Sequence, residues 1–192
     1  MARLFIAVDL AISVVERFAL LQTEWASRIT DDDVRVRWVD PPNIHATLKY
    51  LGDTEASVIP LLEEALTALM RPLFPFELSC QRVGAFPDLR RPRILWAGLD
   101  PKGAEVMSLL QLSIEQDIVE LGFAPEEREF HPHVTLGRVK SQRACDMRDA
   151  AREFETFDFG KSFIKDIALY ESKLTPSGAE YVVLNRFSLG ES

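Results

Sequence analysis

The spacing of apolar residues along the chain predicts an α+β protein that contains both strands and helices. Alternate residues of a β-strand lie on one face, whereas a helix returns to the same face every three to four residues. Short apolar runs and two-residue alternation predict nine strands, and apolar stripes at helical spacing predict four helices. The strands cover residues 3–9, 34–39, 44–51, 74–83, 93–99, 130–139, 157–159, 163–171 and 181–189, and the helices cover residues 11–29, 54–70, 102–121 and 142–154.

Two of the predicted strands carry the same motif of histidine, any residue, threonine and leucine. The first copy is HATL, beginning at His45, and the second is HVTL, beginning at His133. The chain has only three histidines, so two of them in one motif is a strong signal. In a strand, the histidine and threonine of each copy share one face, and the apolar residues between them share the other. If the two strands are neighbours, both histidines, Thr47 and Thr135 face one pocket.

The order of the predicted elements is consistent with two α+β lobes of similar build within a single domain, residues 1–192. A strand, a helix, a strand, the first motif strand, a helix and a hairpin come first, and a helix, the second motif strand and a helix follow from residue 102. Each lobe is expected to be an antiparallel sheet with helices on its outer face. A pseudo-twofold relation would bring the motif strands together, with the active-site cleft between the lobes.

Composition is that of an ordinary globular protein, with 47% hydrophobic and 27% charged residues. No stretch approaches the roughly 20 apolar residues of a membrane span, so no membrane partner is expected. The N-terminal segment lacks the long apolar run of a signal peptide, which favours a cytoplasmic location. The two cysteines, Cys80 and Cys145, have no spacing typical of a metal site or a disulfide framework.

The net charge of −8 argues against a protein that coats long nucleic acids. It does not exclude a nucleotide or an RNA end held in a locally basic pocket. Most basic residues are expected to be solvated surface charges, but those near the motif strands carry more weight. The clusters are Arg35 and Arg37, then Arg90, Arg91 and Arg93, then Arg138, Lys140 and Arg143.

Two histidines facing one pocket suit general acid–base catalysis, because an imidazole accepts or donates a proton near neutral pH. Threonine hydroxyls beside them can donate hydrogen bonds to phosphate oxygens. No nucleophilic serine or cysteine accompanies the motif, so a covalent intermediate is not suggested. The substrate that fits is a strained phosphodiester whose cleavage needs one acid and one base.

At these residues the chain resembles the 2H phosphoesterases, a family defined by two His-x-Thr motifs. Within that family it is similar to the RNA 2′,3′-cyclic phosphodiesterases, historically called 2′-5′ RNA ligases. The resemblance covers most of the chain, and the paired motif with its flanks is highly specific. The segments that carry it are, in order, RLFIAVDL, RWVDPPNIHATLKYLGD, RPRILWAGL and FHPHVTLGRVK.

The resemblance implies hydrolysis of a terminal 2′,3′-cyclic phosphate to a 2′-phosphate, on RNA or oligonucleotide ends and without a cofactor or metal. It implies that His45 donates a proton to the 3′ oxygen, that His133 activates water, and that Thr47 and Thr135 hold the phosphate. Arg138 matches a basic position of the family, although regular alternation predicts that it points away from His133. The two proton-transfer roles could be exchanged without conflict with the sequence. A monomer is expected.

Two other interpretations remain open at this point. A zinc hydrolase could use His131 and His133 on one strand with His45 as a third ligand, but this leaves both threonines unexplained. A binding module for nucleotides or RNA ends could use the same four side chains without turnover. If the chain is a cyclic phosphodiesterase, 2′-5′ ligation through the same site is a secondary activity, because hydrolysis is favoured in water. His131 itself lies outside the repeat and is expected at a rim or strand start.

Overall fold

Antiparallel pairing joins nine strands into one sheet within the residues that the computed structural model describes, 1–31, 33–141, 145–175 and 178–190. The order across the sheet is β7-β4-β5-β6-β3-β1-β8-β9, and β2 pairs separately with β6. The strands are β1 (Ala2–Asp9), β2 (Val34–Trp38), β3 (His45–Thr54), β4 (Phe76–Phe86), β5 (Ile94–Leu99), β6 (His133–Ser141), β7 (Asp158–Ile164), β8 (Asp166–Thr175) and β9 (Gly178–Ser188). The helices are α1 (Ile12–Ser27), α2 (Ile59–Met70), α3 (Pro101–Ile118) and α4 (Arg148–Ala151).

The predicted α+β class is confirmed, and most predicted elements exist within a few residues of their expected bounds. The helix predicted from residue 54 begins at Ile59, because Pro60 suits the first turn of a helix and Thr54 still pairs in β3. The predicted division between strands 157–159 and 163–171 is wrong, since β7 continues to Ile164. The helix predicted over 142–154 starts on residues 142–144, which lie outside the described part, and only α4 is α-helical.

The two halves of the sheet exchange elements in a way that chain order does not predict. The hairpin β4–β5 pairs with the second motif strand β6, although it precedes that strand by more than thirty residues. The late hairpin β8–β9 returns to pair with β1, beside the first motif strand β3. The pairing of β3 with β6 is the join between the two halves.

One face of the sheet is covered by helices and holds the main hydrophobic core. Alternate residues of β1, Leu4, Ile6 and Val8, point into it and are fully buried, as are Phe18 and Trp25 of α1. No helix among the described residues is long and apolar enough to span a membrane. The opposite face carries a smaller buried cluster, which consists of Phe5, Ala7, Ala168 and Tyr170. Because strand residues alternate between faces, the motif histidines and threonines lie on this second face.

Candidate active site

The two motif strands touch at their motifs. Ala46 of β3 pairs with Val134 of β6, and both residues are fully buried on the core side. The histidine and threonine that flank each of these residues therefore project from the opposite face. Continuing the antiparallel register places His45 across from Thr135 and Thr47 across from His133. The predicted neighbourhood of the two motifs is confirmed by this pairing.

Each motif histidine is held through one ring nitrogen by a backbone carbonyl two residues earlier. Nδ1 of His45 donates to the carbonyl oxygen of Asn43 at 2.7 Å, and Nδ1 of His133 donates to the carbonyl oxygen of His131 at 2.6 Å. This bond places the proton of each neutral ring on Nδ1, so Nε2 is the nitrogen that can gain or lose a proton in the site. Nε2 of His45 lies 3.0 Å from the hydroxyl of Thr47, which can donate to it. The sequence does not single out these two carbonyls, because every residue has one.

Aromatic rings cover both motif histidines. Phe5 stacks on His45 with 4.9 Å between ring centroids, and the edge of Tyr181 approaches His45 at 5.4 Å. Phe86 meets His133 edge-on at 5.0 Å. Phe5 and Phe86 thus pack directly against the two motif histidines. These rings fix the imidazole planes and remove water from around them.

Burial lowers the pKa of both motif histidines below their usual value of 6.5. Desolvation is the largest cause in each case, because a charged imidazolium loses hydration in an apolar setting. The carbonyl bonds from Asn43 and His131 act in the opposite direction and raise each pKa. The carboxylate of Asp9 also raises the pKa of His45, and a positive charge on His133 lowers it. Both histidines therefore favour the neutral form at neutral pH.

Arg138 lies on the same face as the motif, and the prediction that it points away is wrong. A β-bulge shifts the register of β6 against β5, since Leu95 pairs with Gly137 but Trp96 pairs with Thr135. The extra residue restarts the alternation, so that Arg138 faces the site. Glycine is required at position 137, because a Cβ there would lie 2.8 Å from Val36 of β2.

The first motif strand contains the same irregularity at the same place. Ile6 pairs with Lys49 but Ala7 pairs with Thr47, so one extra residue also lies behind this threonine. Tyr50 thereby takes the position in β3 that Arg138 takes in β6, five residues after the histidine. Its side chain is 56% exposed and lies in the site. Tyr50 was not predicted as a site residue, although its position matches that of Arg138 when the two motif copies are aligned.

Three adjoining cavities lie along this face. The central one, of about 170 Å³, is lined by His45, Thr47, Thr135 and Arg138. A second cavity of about 510 Å³ shares His45 and extends toward the start of α1. A third of about 230 Å³ shares Arg138 and reaches Arg37 of β2. Four of the five predicted site residues thus line one cavity, and the fifth, His133, lies across from Thr47 on the neighbouring strand.

His131 does not join the motif histidines in a metal site. Its side chain is 61% exposed and lies 3.9 Å from the carboxylate of Glu129. Across the described ranges, no group of three or more histidine, cysteine or acidic residues is arranged to hold a metal ion. The three-histidine zinc arrangement considered from the sequence is therefore not formed. His131 acts on the site through its backbone carbonyl.

The chain is similar in sequence and in fold to known phosphoesterases. The family model described as LigT like Phosphoesterase matches residues 12–96 and again residues 98–181, and each match contains one motif. An RNA 2′,3′-cyclic phosphodiesterase of Methanothermobacter thermautotrophicus is 34% identical over 97% of this chain and 98% of its own. Another, of Aquifex aeolicus, is 36% identical over 87% of this chain and 90% of its own. A crystal structure of a Thermus thermophilus protein superposes with a TM-score of 0.79 at 27% identity, covering 99% of this chain and 100% of that one.

Proposed function

This chain belongs to the LigT-like phosphoesterase family, and we propose that it hydrolyses the 2′,3′-cyclic phosphate at an RNA end to a 2′-phosphomonoester. The observation that carries the proposal is the pairing of two His-x-Thr motifs on neighbouring strands, each histidine held by a carbonyl at Nδ1. Both relatives described above are named as RNA 2′,3′-cyclic phosphodiesterases. Their similarity extends over 97% and 87% of this chain. The same geometry supports a two-histidine acid–base mechanism.

In the reaction, Nε2 of neutral His133 removes a proton from water as the water oxygen bonds to phosphorus. The bond between phosphorus and the 3′ oxygen breaks, and Nε2–H of protonated His45 gives its proton to that oxygen. The product carries a 2′-phosphate and a free 3′-hydroxyl. His133 is then protonated and His45 neutral, so proton exchange with solvent restores the starting state. No covalent bond to the protein is formed.

Thr47, Thr135 and Arg138 are proposed to bind the non-bridging phosphate oxygens. They line the central cavity together with His45. The two hydroxyls donate hydrogen bonds, and the guanidinium adds a positive charge where negative charge develops in the transition state. When the 5′-hydroxyl of a second RNA replaces water as nucleophile, the same step forms a 2′-5′ linkage, which we propose as a secondary activity.

The proposal is tested with RNA that ends in a 2′,3′-cyclic phosphate, incubated with the protein in the presence of EDTA. Formation of a terminal 2′-phosphate that EDTA does not inhibit is the expected result. Turnover that EDTA abolishes would transfer the chemistry to a metal ion. No turnover of the cyclic phosphate would contradict the enzyme and favour a binding module that uses the same pocket.

The pH dependence of kcat/KM is expected to show a maximum below pH 6.5. The reactive form needs one protonated and one neutral histidine, and burial lowers the pKa of both below the usual 6.5. As the pH rises through the lowered values the proton donor is lost, and as it falls below them the base is protonated. The anionic substrate favours imidazolium, so kcat should peak at a higher pH than kcat/KM. Initial rates between pH 4.5 and 8.5 measure both profiles, and circular dichroism at each pH serves as the folding control. A maximum of kcat/KM above pH 7 would contradict the prediction.

Replacing Arg138 by glutamine is expected to lower kcat/KM by about 10²-fold, because one preorganised donor to the transition state is lost. Arg138→Lys should restore part of the activity, since it keeps the charge without the planar fork of donors. The measurement is steady-state hydrolysis of a nucleoside 2′,3′-cyclic phosphate. Arg71→Gln, an exposed arginine at the end of α2, is the matched control. Equal activities of the 138 and 71 variants would remove Arg138 from the site.

A further inference from the structure

Four basic residues form two opposed pairs in the ladder between β2 and β6. Arg35 pairs with Lys140, and Arg37 pairs with Arg138. Residues directly opposed in an antiparallel ladder point to one face, and so do alternate residues along each strand. Since Arg138 lines the central cavity, all four side chains project from the face of the catalytic pocket. We call Arg35, Arg37, Arg138 and Lys140 the cation ladder.

Folding alone does not account for the cation ladder. Like charges placed opposite each other across a strand pair destabilise a sheet. Among the described residues, no carboxylate forms an ion pair with Arg35, Arg138 or Lys140, although the chain has 30 acidic and 22 basic residues. Val34, Val36 and Trp38 lie on the other face of β2 and pack on the core. This packing explains the apolar residues of β2 but not its charged ones.

The cation ladder continues the catalytic pocket outward. Arg138 belongs both to the central cavity and to the third cavity, which Arg37 also lines. The pair Arg35–Lys140 is two residues farther along each strand, at a distance of about 6.8 Å from the first pair. Positive charge therefore extends in a line from the phosphate site, at a spacing comparable to that of neighbouring phosphates in an extended RNA strand.

We propose that the cation ladder binds the phosphodiester backbone of the RNA on the 5′ side of the cyclic phosphate. Guanidinium and ammonium groups suit phosphate oxygens, and the ladder presents no pattern that would select particular bases. An oligonucleotide is then a better substrate than a mononucleotide, without sequence preference along the ladder. This inference rests on the proposed function, because the cyclic phosphate sets the starting point of the backbone.

The direction of the strand agrees with the proposed roles of the histidines. His45 donates its proton to the 3′ oxygen, so the terminal ribose lies on the His45 side of the pocket. The RNA continues from the 5′ oxygen of that same ribose. Asn43, whose carbonyl holds His45, lines the third cavity together with Arg37 and Arg138. The RNA strand thus leaves the pocket toward the cation ladder.

The test compares two substrates on the double variant Arg35→Gln/Lys140→Gln. One substrate is cytidine 2′,3′-cyclic phosphate, and the other is a single-stranded RNA of about ten nucleotides with the same terminus. Neither substituted residue lines the central cavity. The expected result is a loss of about ten-fold in kcat/KM for the RNA and no change for the mononucleotide. The control is the double variant Arg71→Gln/Lys102→Gln, which also removes one arginine and one lysine charge, but from the end of α2 and the start of α3. It should change neither rate.

A binding measurement keeps the inference separate from turnover. Fluorescence anisotropy of the same RNA ending in a 2′-phosphate, titrated at several salt concentrations, gives the slope of log affinity against log salt. Loss of two phosphate contacts to a single strand should make that slope shallower by about 1.4. An unchanged slope, an equal loss on both substrates, or no change in the RNA rate would overturn the cation ladder. If wild type turns over neither substrate, the proposed hydrolysis fails, and the salt slope alone decides the ladder.

Discussion

His45→Ala and His133→Ala are each expected to lower kcat by about 10²- to 10⁴-fold, the largest effect of any substitution in the site. Each change removes an Nε2 that is proposed to transfer a proton in the reaction. The double variant should lose little more than either single variant, because the two groups act as one unit. Rates on RNA with a 2′,3′-cyclic phosphate measure this, with the terminal phosphate of the product identified.

The third histidine offers a matched control. His131→Ala removes an exposed imidazole but keeps the backbone carbonyl that accepts from Nδ1 of His133, so activity should stay near that of wild type. A loss in His131→Ala as large as in the motif variants would revive a three-histidine metal site. Melting temperatures of all variants show whether a lost activity reflects lost folding.

A substrate with a good leaving group separates the two proton-transfer roles. With thymidine 3′-(4-nitrophenyl phosphate), the departing phenolate needs no proton. The variant that lacks the acid should therefore regain activity relative to the variant that lacks the base. His45→Ala is expected to be the one that recovers. Recovery of His133→Ala instead would exchange the roles of the two histidines.

Glu115→Ala is expected to lower the free energy of unfolding by about 3–5 kcal/mol. Glu115 of α3 forms an ion pair with Lys49 of β3 at 2.7 Å, and the two side chains are only 12% and 5% exposed. Removing the carboxylate leaves a buried ammonium with the carbonyl of Ala124, at 3.1 Å, as its remaining partner. Urea denaturation followed by circular dichroism measures the loss.

The control replaces both members of the pair, as Lys49→Met/Glu115→Leu. A buried pair exchanged for apolar groups of similar volume is often nearly neutral, so most of the lost stability should return. Lys49 lies at the bulge between Thr47 and Tyr50, both of which line the central cavity. Glu115→Ala should therefore also weaken substrate binding. A cost below about 1 kcal/mol for Glu115→Ala would show that solvent reaches the pair and screens it.

Particular residues show how far the sequence predicts the site. His45, Thr47, His133 and Thr135 are identified from the sequence alone, because a repeated motif with strand alternation is a local signal. Their roles remain proposals that the variants above test. Arg138 is identified by resemblance, but its predicted orientation is wrong. The error comes from a bulge, which is decided by how β6 pairs with β5 and by the contact of Gly137 with Val36.

By itself the sequence determined the α+β class, most strands and helices, and the motif pair that defines the family. These features have local signatures, namely apolar periodicity and a short pattern of chemically distinctive residues. The tertiary structure decided which strands are neighbours, since β8 returns to β1 and the β4–β5 hairpin joins β6. It also decided the two bulges, the aromatic cover of the histidines by Phe5 and Phe86, and the cation ladder on β2 and β6. The reason is physical: these features arise from contacts between residues far apart in the chain, which no local pattern encodes.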